Sequence, residues 1–255
     1  MKAFAKVVAF IVAGLMSAPA LAADGERIIT LGPGIQIAPP YEGASHTTIL
    51  PFPSFSFGRE GQAWQFTAPD DSPSIGLISG IFRAGIAVAF RGARDDDGSL
   101  VGLKPIDAVV EPGLFVDVWP VEWLRTRVEV RKGVTGHKGW ATDISADLVQ
   151  PIGAFTFAVG PRFGLGDSGY MKKYFSISAA EALANPTISE SFSASAGPRF
   201  IGGAVSIIHR PGGRWTQSLG VAYHRLIGDA ADSPFVKQLG TADQWILVTK
   251  VGYSF

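Results

Sequence analysis

Val121-Glu122-Trp123-Leu124-Arg125-Thr126-Arg127-Val128-Glu129-Val130-Arg131-Lys132 is the stretch that decides the fold. Leu124, Thr126, Val128 and Val130 alternate with Arg125, Arg127, Glu129 and Arg131, the period of two of a β-strand with one apolar and one charged face. One such strand fits a soluble sandwich as well as a membrane barrel. In a barrel the parity is enforced, because Arg or Lys facing lipid at mid-membrane costs about 2–4 kcal/mol and must turn inward.

The same alternation recurs on both sides of this stretch. Phe82, Ala84, Ile86, Val88 and Phe90 share a face opposite Arg83, Gly85, Ala87, Ala89 and Arg91. Trp140, Thr142, Ile144, Ala146 and Leu148 oppose Ala141, Asp143, Ser145, Asp147 and Val149, and Phe155, Phe157, Val159, Phe163 and Leu165 oppose Thr156, Gly160, Arg162 and Gly164. At the end of the chain Trp245, Leu247, Thr249, Val251, Tyr253 and Phe255 alternate with smaller or polar residues and Lys250. An alternating strand closed by a terminal aromatic resembles the signal read by the bacterial outer-membrane assembly machinery, which assigns that role to Trp245, Leu247, Val251, Tyr253 and Phe255.

The expected fold is therefore all-β, a transmembrane antiparallel barrel of about twelve strands, with ten as the alternative. The strands fall at 27–36, 48–58, 62–68, 74–79, 81–91, 107–118, 121–132, 140–149, 154–165, 194–209, 214–226 and 243–255. Alternate connections are short and rich in turn formers: Arg59-Glu60-Gly61, Gly80, Trp119-Pro120, Gln150 to Gly153 and Pro211-Gly212-Gly213. The intervening ones, 37–47, 92–106, 166–193 and 228–242, are mostly longer. The strand at 194–209 alternates poorly, which predicts a bulge. All six Trp, at 64, 119, 123, 140, 215 and 245, lie near strand ends, where aromatic girdles meet lipid headgroups.

Composition agrees. The 255 residues carry 22 Lys+Arg against 22 Asp+Glu, which gives no footprint for nucleic acid. Charged residues make up 17%, and 31 Gly with 17 Pro disfavour a helical bundle. The absence of Cys removes disulfides, thiolate metal sites and a lipoprotein anchor. Lys2 and Lys6 precede an apolar run, Val7 to Met16, followed by small residues, which predicts a signal peptide over 1–22 cut between Ala22 and Ala23 and a single barrel domain over 23–255. The run is too short to favour a retained anchor, and no later stretch is long and apolar enough for a transmembrane helix.

Enzyme signatures are thin. There is no His-Glu-x-x-His and no Gly-x-Ser-x-Gly. His46, His137, His209 and His224 lie on separate segments without ligand spacing, and His224 with Ser218 would need proximity that sequence does not supply. Gly164-Leu165-Gly166-Asp167-Ser168-Gly169 matches a dinucleotide fingerprint in letters only, with no βαβ unit around it. Asp95-Asp96-Asp97-Gly98 lacks the rest of a Ca²⁺ loop. The expectation is no enzyme and no cofactor.

Inward parity collects Arg83, Arg91, Arg125, Arg127, Arg131, Arg162 and Lys250 with Glu111, Asp117, Glu129, Asp143 and Asp147, a mixed set of lumen charges. Paired across the lumen they close it; separated by water they line a narrow, weakly selective pore.

Pro40-Tyr41-Glu42-Gly43-Ala44, the run from Tyr170 to Ser178 (Tyr-Met-Lys-Lys-Tyr-Phe-Ser-Ile-Ser), and the run from Leu226 to Pro234 with Asp243-Gln244 resemble the MipA/OmpV family of Gram-negative outer-membrane proteins. Ser176 stands where that family usually has Gly. The resemblance implies a place in the outer membrane among its lipids and a scaffold role, joining a lytic transglycosylase to a bifunctional peptidoglycan synthase. Other members are linked to adhesion or antibiotic passage, so a small porin-like channel and a surface adhesin stay as alternatives. In the longest loop, Ala179 to Ala184 after Ser178 predicts a short capped helix ending at Asn185-Pro186.

Overall fold

A computed structural model describes residues 27–59, 66–78 and 81–255. The expected leader with its Ala22/Ala23 junction, the turns at 60–61 and 80, and Trp64 lie outside the described residues.

Among the described residues thirteen strands make one curled antiparallel sheet. β1 (Arg27–Gly32) and β2 (Gly34–Ala38) follow one path interrupted at Pro33, which has no N–H to give a ladder; β3 (Thr48–Pro51) and β4 (Ser54–Arg59) are split at Phe52-Pro53 in the same way. β5 (Ser74–Ile78), β6 (Phe82–Arg91), β7 (Val109–Val121), β8 (Leu124–Lys132), β9 (Trp140–Ile152), β10 (Phe155–Gly166), β11 (Gly197–His209), β12 (Trp215–Leu226) and β13 (Asp243–Ser254) follow, each paired with the next. β13 then pairs back to β1 and β2, as Thr30 with Ser254 and Ile37 with Leu247, so the chain's first and last strands are neighbours. β3 and β4 lie on the far side of that pair. Among the described residues no ladder joins β4 to β5, but at the long-loop end Gly92 N–H donates to Pro40 O at 2.6 Å.

Side chains obey the parity. On β8 Arg125, Arg127, Glu129 and Arg131 are buried inside the curl, while Val128 is exposed on its outside. The outer surface carries Ile86, Leu114, Val116, Ile144, Leu148, Val205, Leu219 and Leu247, more exposed aliphatic surface than a soluble domain shows in one continuous band. Trp123 and Trp215 stand at the short-turn end of the outer face and Trp140 and Trp245 at the long-loop end. From Trp245 to Tyr253 the strand runs about 27 Å, or about 20 Å after a tilt near 40°, close to the thickness of a barrel's apolar band. Tyr253 packs on Trp215 and Phe255, at ring separations of 4.9 and 5.0 Å, and Phe255 N–H donates to Ile29 O.

One difference from the expected strand list changes the interior, and one expected irregularity is present. Of the third strand, 62–68, the first four residues lie outside the described ones, and Phe66 to Ala68 are not a strand. They turn inward, where Phe66 and Ala68 pack on Val149, Ala158 and Ile208. Their alternation is real, buried–exposed–buried, but the buried side meets the inside of the sheet; Pro69 and Pro73 further unsuit the segment for a ladder. The expected bulge lies on β11, where Gly164 pairs with Phe200 and Leu165 with Pro198, so Arg199 is the extra residue.

The long connections build a cap. α1 (Ser168–Phe175) starts at Asp167, whose carboxylate accepts from Tyr170 N–H at 2.8 Å. α2 (Ala179–Ala184) has the predicted Ser178 cap, with Glu181 completing a capping box. α3 (Gly228–Asp232) and α4 (Pro234–Gln238) precede β13. Tyr170, Met171, Tyr174, Phe175, Phe235 and Val236 form the cap's core, closed by Leu103 and Ile106 from the loop after β6. Gly43 sits there with φ 86°, and a Cβ on it would approach Phe235 to 2.7 Å.

Glu181 ties the cap together: it accepts from Lys104 N–H and from Ser178 N–H, both at 2.9 Å, and from Ser178 Oγ at 2.5 Å. Burial alone would raise its carboxyl, but these donors outweigh burial and hold it below its ordinary value. A depressed carboxyl stabilises above its unfolded pKa, and that contribution is lost as pH falls through the folded one. Amide protection of residues 99–105 and 178–188, corrected for intrinsic exchange, is expected to drop below about pH 4 in the wild type. Glu181→Gln should show reduced protection at neutral pH, by about 1–2 kcal/mol. Equal protection in both proteins at pH 7 would refute the assignment.

Candidate functional site

Inside the curl, below the cap, lies a continuous ionic layer. β8 contributes most of it because every second residue from Arg125 to Arg131 is charged and the sheet's parity sends all four inward. Arg125 meets Asp71 at 2.7 Å, Asp117 at 3.1 Å and Asp147 at 3.2 Å. Arg127 meets Glu129 at 2.6 Å and Asp117 at 3.2 Å, and its guanidinium lies 4.0 Å from the Phe115 ring centre. Arg131 joins Glu111 at 3.2 Å, Asp143 at 2.6 Å and Glu129. Arg83 pairs with Asp117 at 3.2 Å and Arg91 with Glu111 at 2.9 Å. Arg162 bridges Asp147 at 2.7 Å and Asp70 at 2.8 Å.

Of the twelve charges assigned to the lumen by parity, the structure brings all but Lys250 into this one network. Lys250 stands apart on the short-turn side, its ammonium 4.7 Å from the Phe52 ring centre. Four further members escaped the sequence reading. Asp70 and Asp71 come from the inward segment after β4, Glu42 from the loop after β2, and Arg199 from the bulge. Arg199 carried a usable signal: strict parity would put it outside with Ile201, at lipid, and a bulge is the way to turn it inward. Glu42 lies within a quoted family run, and Arg199 binds it together with Asp143.

Two histidines complete the layer. His137 Nδ1 accepts from Gly139 N–H at 3.1 Å, which leaves Nε2 to donate to Glu111 at 2.9 Å. His224 Nε2 lies 3.0 Å from Asp70, and its ring stacks on Phe200 at 4.1 Å. Among the described residues no group of three His, Asp or Glu side chains has an arrangement that could hold a metal ion.

Chemically the layer is a seal. Seven arginines face eight carboxylates, each with charged partners at hydrogen-bond range, and water has little to gain there. The inward segment adds apolar packing beneath it, with Phe66 5.4 Å from the Arg125 guanidinium. On the short-turn side of the seal a cavity of about 750 Å³ remains, bordered by the inward segment, β13 and the turn before β12.

An apolar outer band, aromatic belts at its two ends and an ionic interior define the class: a curled antiparallel sheet of β-barrel membrane-protein construction. Residues 31–255 match the family model described as MipA, MltA-interacting protein MipA, and the chain belongs to that family. A search of curated proteins finds no match. Similar solved structures include in-vitro folded OmpT, an outer membrane protein of Vibrio cholerae, at 8% identity over 93% of this chain and 100% of that one, TM-score 0.36. The outer membrane protein OprG of Pseudomonas aeruginosa is similar at 11% identity over 92% and 98%, TM-score 0.27. OccAB1 of Acinetobacter baumannii is similar at 10% over 82% and 67%, TM-score 0.23. The family assignment rests on the sequence match.

Proposed function

We propose that this chain is an outer-membrane barrel of a Gram-negative bacterium that works as a closed platform, holding a lytic transglycosylase and a bifunctional peptidoglycan synthase at its periplasmic end. The observation that carries the reading is the seal: an interior filled by paired charges under an apolar cap suits a rigid support better than an open conduit. The family description, an MltA-interacting protein, supplies the kind of partner. With the short turns, the start of β1 at Arg27 and the end of β13 on one side, the partner surface comprises those turns, around Val121 to Trp123, Ile152 to Phe155 and Pro211 to Trp215. These turns present exposed Trp123, Ile152 and Trp215 at the rim. No catalytic residue is assigned.

The test is affinity purification from native outer membranes in mild detergent, with mass spectrometry against a control barrel of similar abundance. Enrichment of both murein enzymes is the expected result. Recovery of neither sinks the platform reading. Heat-modifiable migration on a gel is expected as well, and its absence would return the soluble sandwich.

A further inference from the structure

The cavity on the short-turn side differs in charge from everything above it. Each arginine of the ionic layer has carboxylate partners, whereas Lys250 projects inward from β13 with no carboxylate within salt-bridge distance among the described residues. Asp71 also borders the cavity, but its oxygens are taken by Arg125, Arg127 and the Ala68 N–H. Arg214, at the turn before β12, adds positive charge at the cavity's mouth. Two hydroxyls in the wall, Ser74 Oγ and Ser206 Oγ, are buried without a hydrogen-bond partner among the described residues, and Ser206 is 7% exposed. A buried hydroxyl left unpaired costs about 1–3 kcal/mol, so each takes a polar partner, water or a ligand atom, in the cavity. The rest of the lining is largely carbon, from Phe52, Pro69, Ile208 and Val248. About 750 Å³ is within the usual range for a small-molecule site.

We infer that this cavity binds a single-chain amphiphilic carboxylate, its head on the Lys250 ammonium and its chain along Ile208, Val248 and Pro69. A lone ammonium suits a monoanion; a phosphate dianion would call for the clustered cations that lie, already neutralised, in the ionic layer. Lys250 pairs with Ser218 and Val248 with Gly220, against which Pro69 packs, so the head lies on the mouth side and the chain runs inward past Val248 to Pro69. This site is independent of the platform role, since its ligand enters the interior and the partners meet the rim.

The experiment is titration of the full chain, folded in a non-ionic detergent, with dodecanoate, with dodecanol as the neutral chain and acetate as the bare head. Saturable binding of dodecanoate is expected, with dodecanol and acetate each at least about tenfold weaker. Lys250→Gln is expected to weaken dodecanoate by about tenfold or more, the loss of one charge-assisted hydrogen bond, and Lys250→Arg to retain most of it. Ser206→Leu, which fills the cavity without touching a charge, is expected to abolish binding and keeps the proposal testable if Lys250→Gln does not fold. Heat-modifiable migration reports folding of each variant. Dodecanol binding as tightly as dodecanoate, unchanged affinity in Lys250→Gln, unchanged affinity in Ser206→Leu, or no saturable binding would each overturn the inference.

Discussion

Replacing Arg125 by alanine is expected to lower the unfolding free energy by about 3–5 kcal/mol, among the largest single-residue losses in the chain. Its side chain is fully buried and holds three carboxylates, on Asp71, Asp117 and Asp147, while covering the Phe66 ring. Alanine leaves those carboxylates short of a partner in a place water reaches poorly, and the cost is the stranded charge rather than the lost attraction. Arg225→Ala is the control, because Arg225 pairs with Asp243 at 2.6 Å on an exposed surface, where solvent screening leaves such a pair little effect on stability. Urea unfolding in lipid vesicles, followed by tryptophan fluorescence, measures both. Equal losses in the two variants would show that the layer is solvated and is no seal.

The wall was legible wherever a strand carries charge on alternate positions, because the energetics of lipid leave one side for Arg125, Arg127 and Arg131. Strand ends at Trp140, Trp215 and Trp245 were legible for the same reason, since an indole has a preferred depth in a bilayer. What escaped was the source of the countercharge. Parity speaks only for residues in a regular ladder, and Glu42, Asp70 and Asp71 lie in irregular segments, while Arg199 occupies the place where the ladder slips by one. Counting carboxylates on the strands alone gave five against seven cations, and that imbalance was itself a sign that loops must supply the missing partners. The inward path of Phe66 to Pro73 was hidden for a different reason. Period-two burial says that one face is covered, not whether lipid or the inside of the same sheet covers it.

The inward segment also bears on the choice between a platform and a channel, and the double substitution Asp70→Asn with Asp71→Asn is expected to open a conducting path. Asp70 holds Arg162 and His224, and Asp71 holds Arg125 and, at 3.7 Å, Arg127. Asparagine keeps the shape and some hydrogen bonding but removes two charges, so the layer passes from seven arginines facing eight carboxylates to seven facing six. Attraction that drew the segment against β8, β10 and β12 falls, and the surplus positive charge repels itself across the narrow interior. Pro69 packs against Gly220, where a Cβ would come within 2.7 Å, so the segment is held there by close fit without side-chain interlock, and loss of its ionic anchors frees it toward the short-turn end. In planar bilayers the wild type should show little or no conductance, while the double variant should show steps several-fold larger with a preference for anions, as the net positive layer requires. A silent variant that still migrates as a folded barrel would mean that the cap alone closes the interior. Full conductance already in the wild type would mean that the paired charges are separated by water and that the platform reading gives way to the channel.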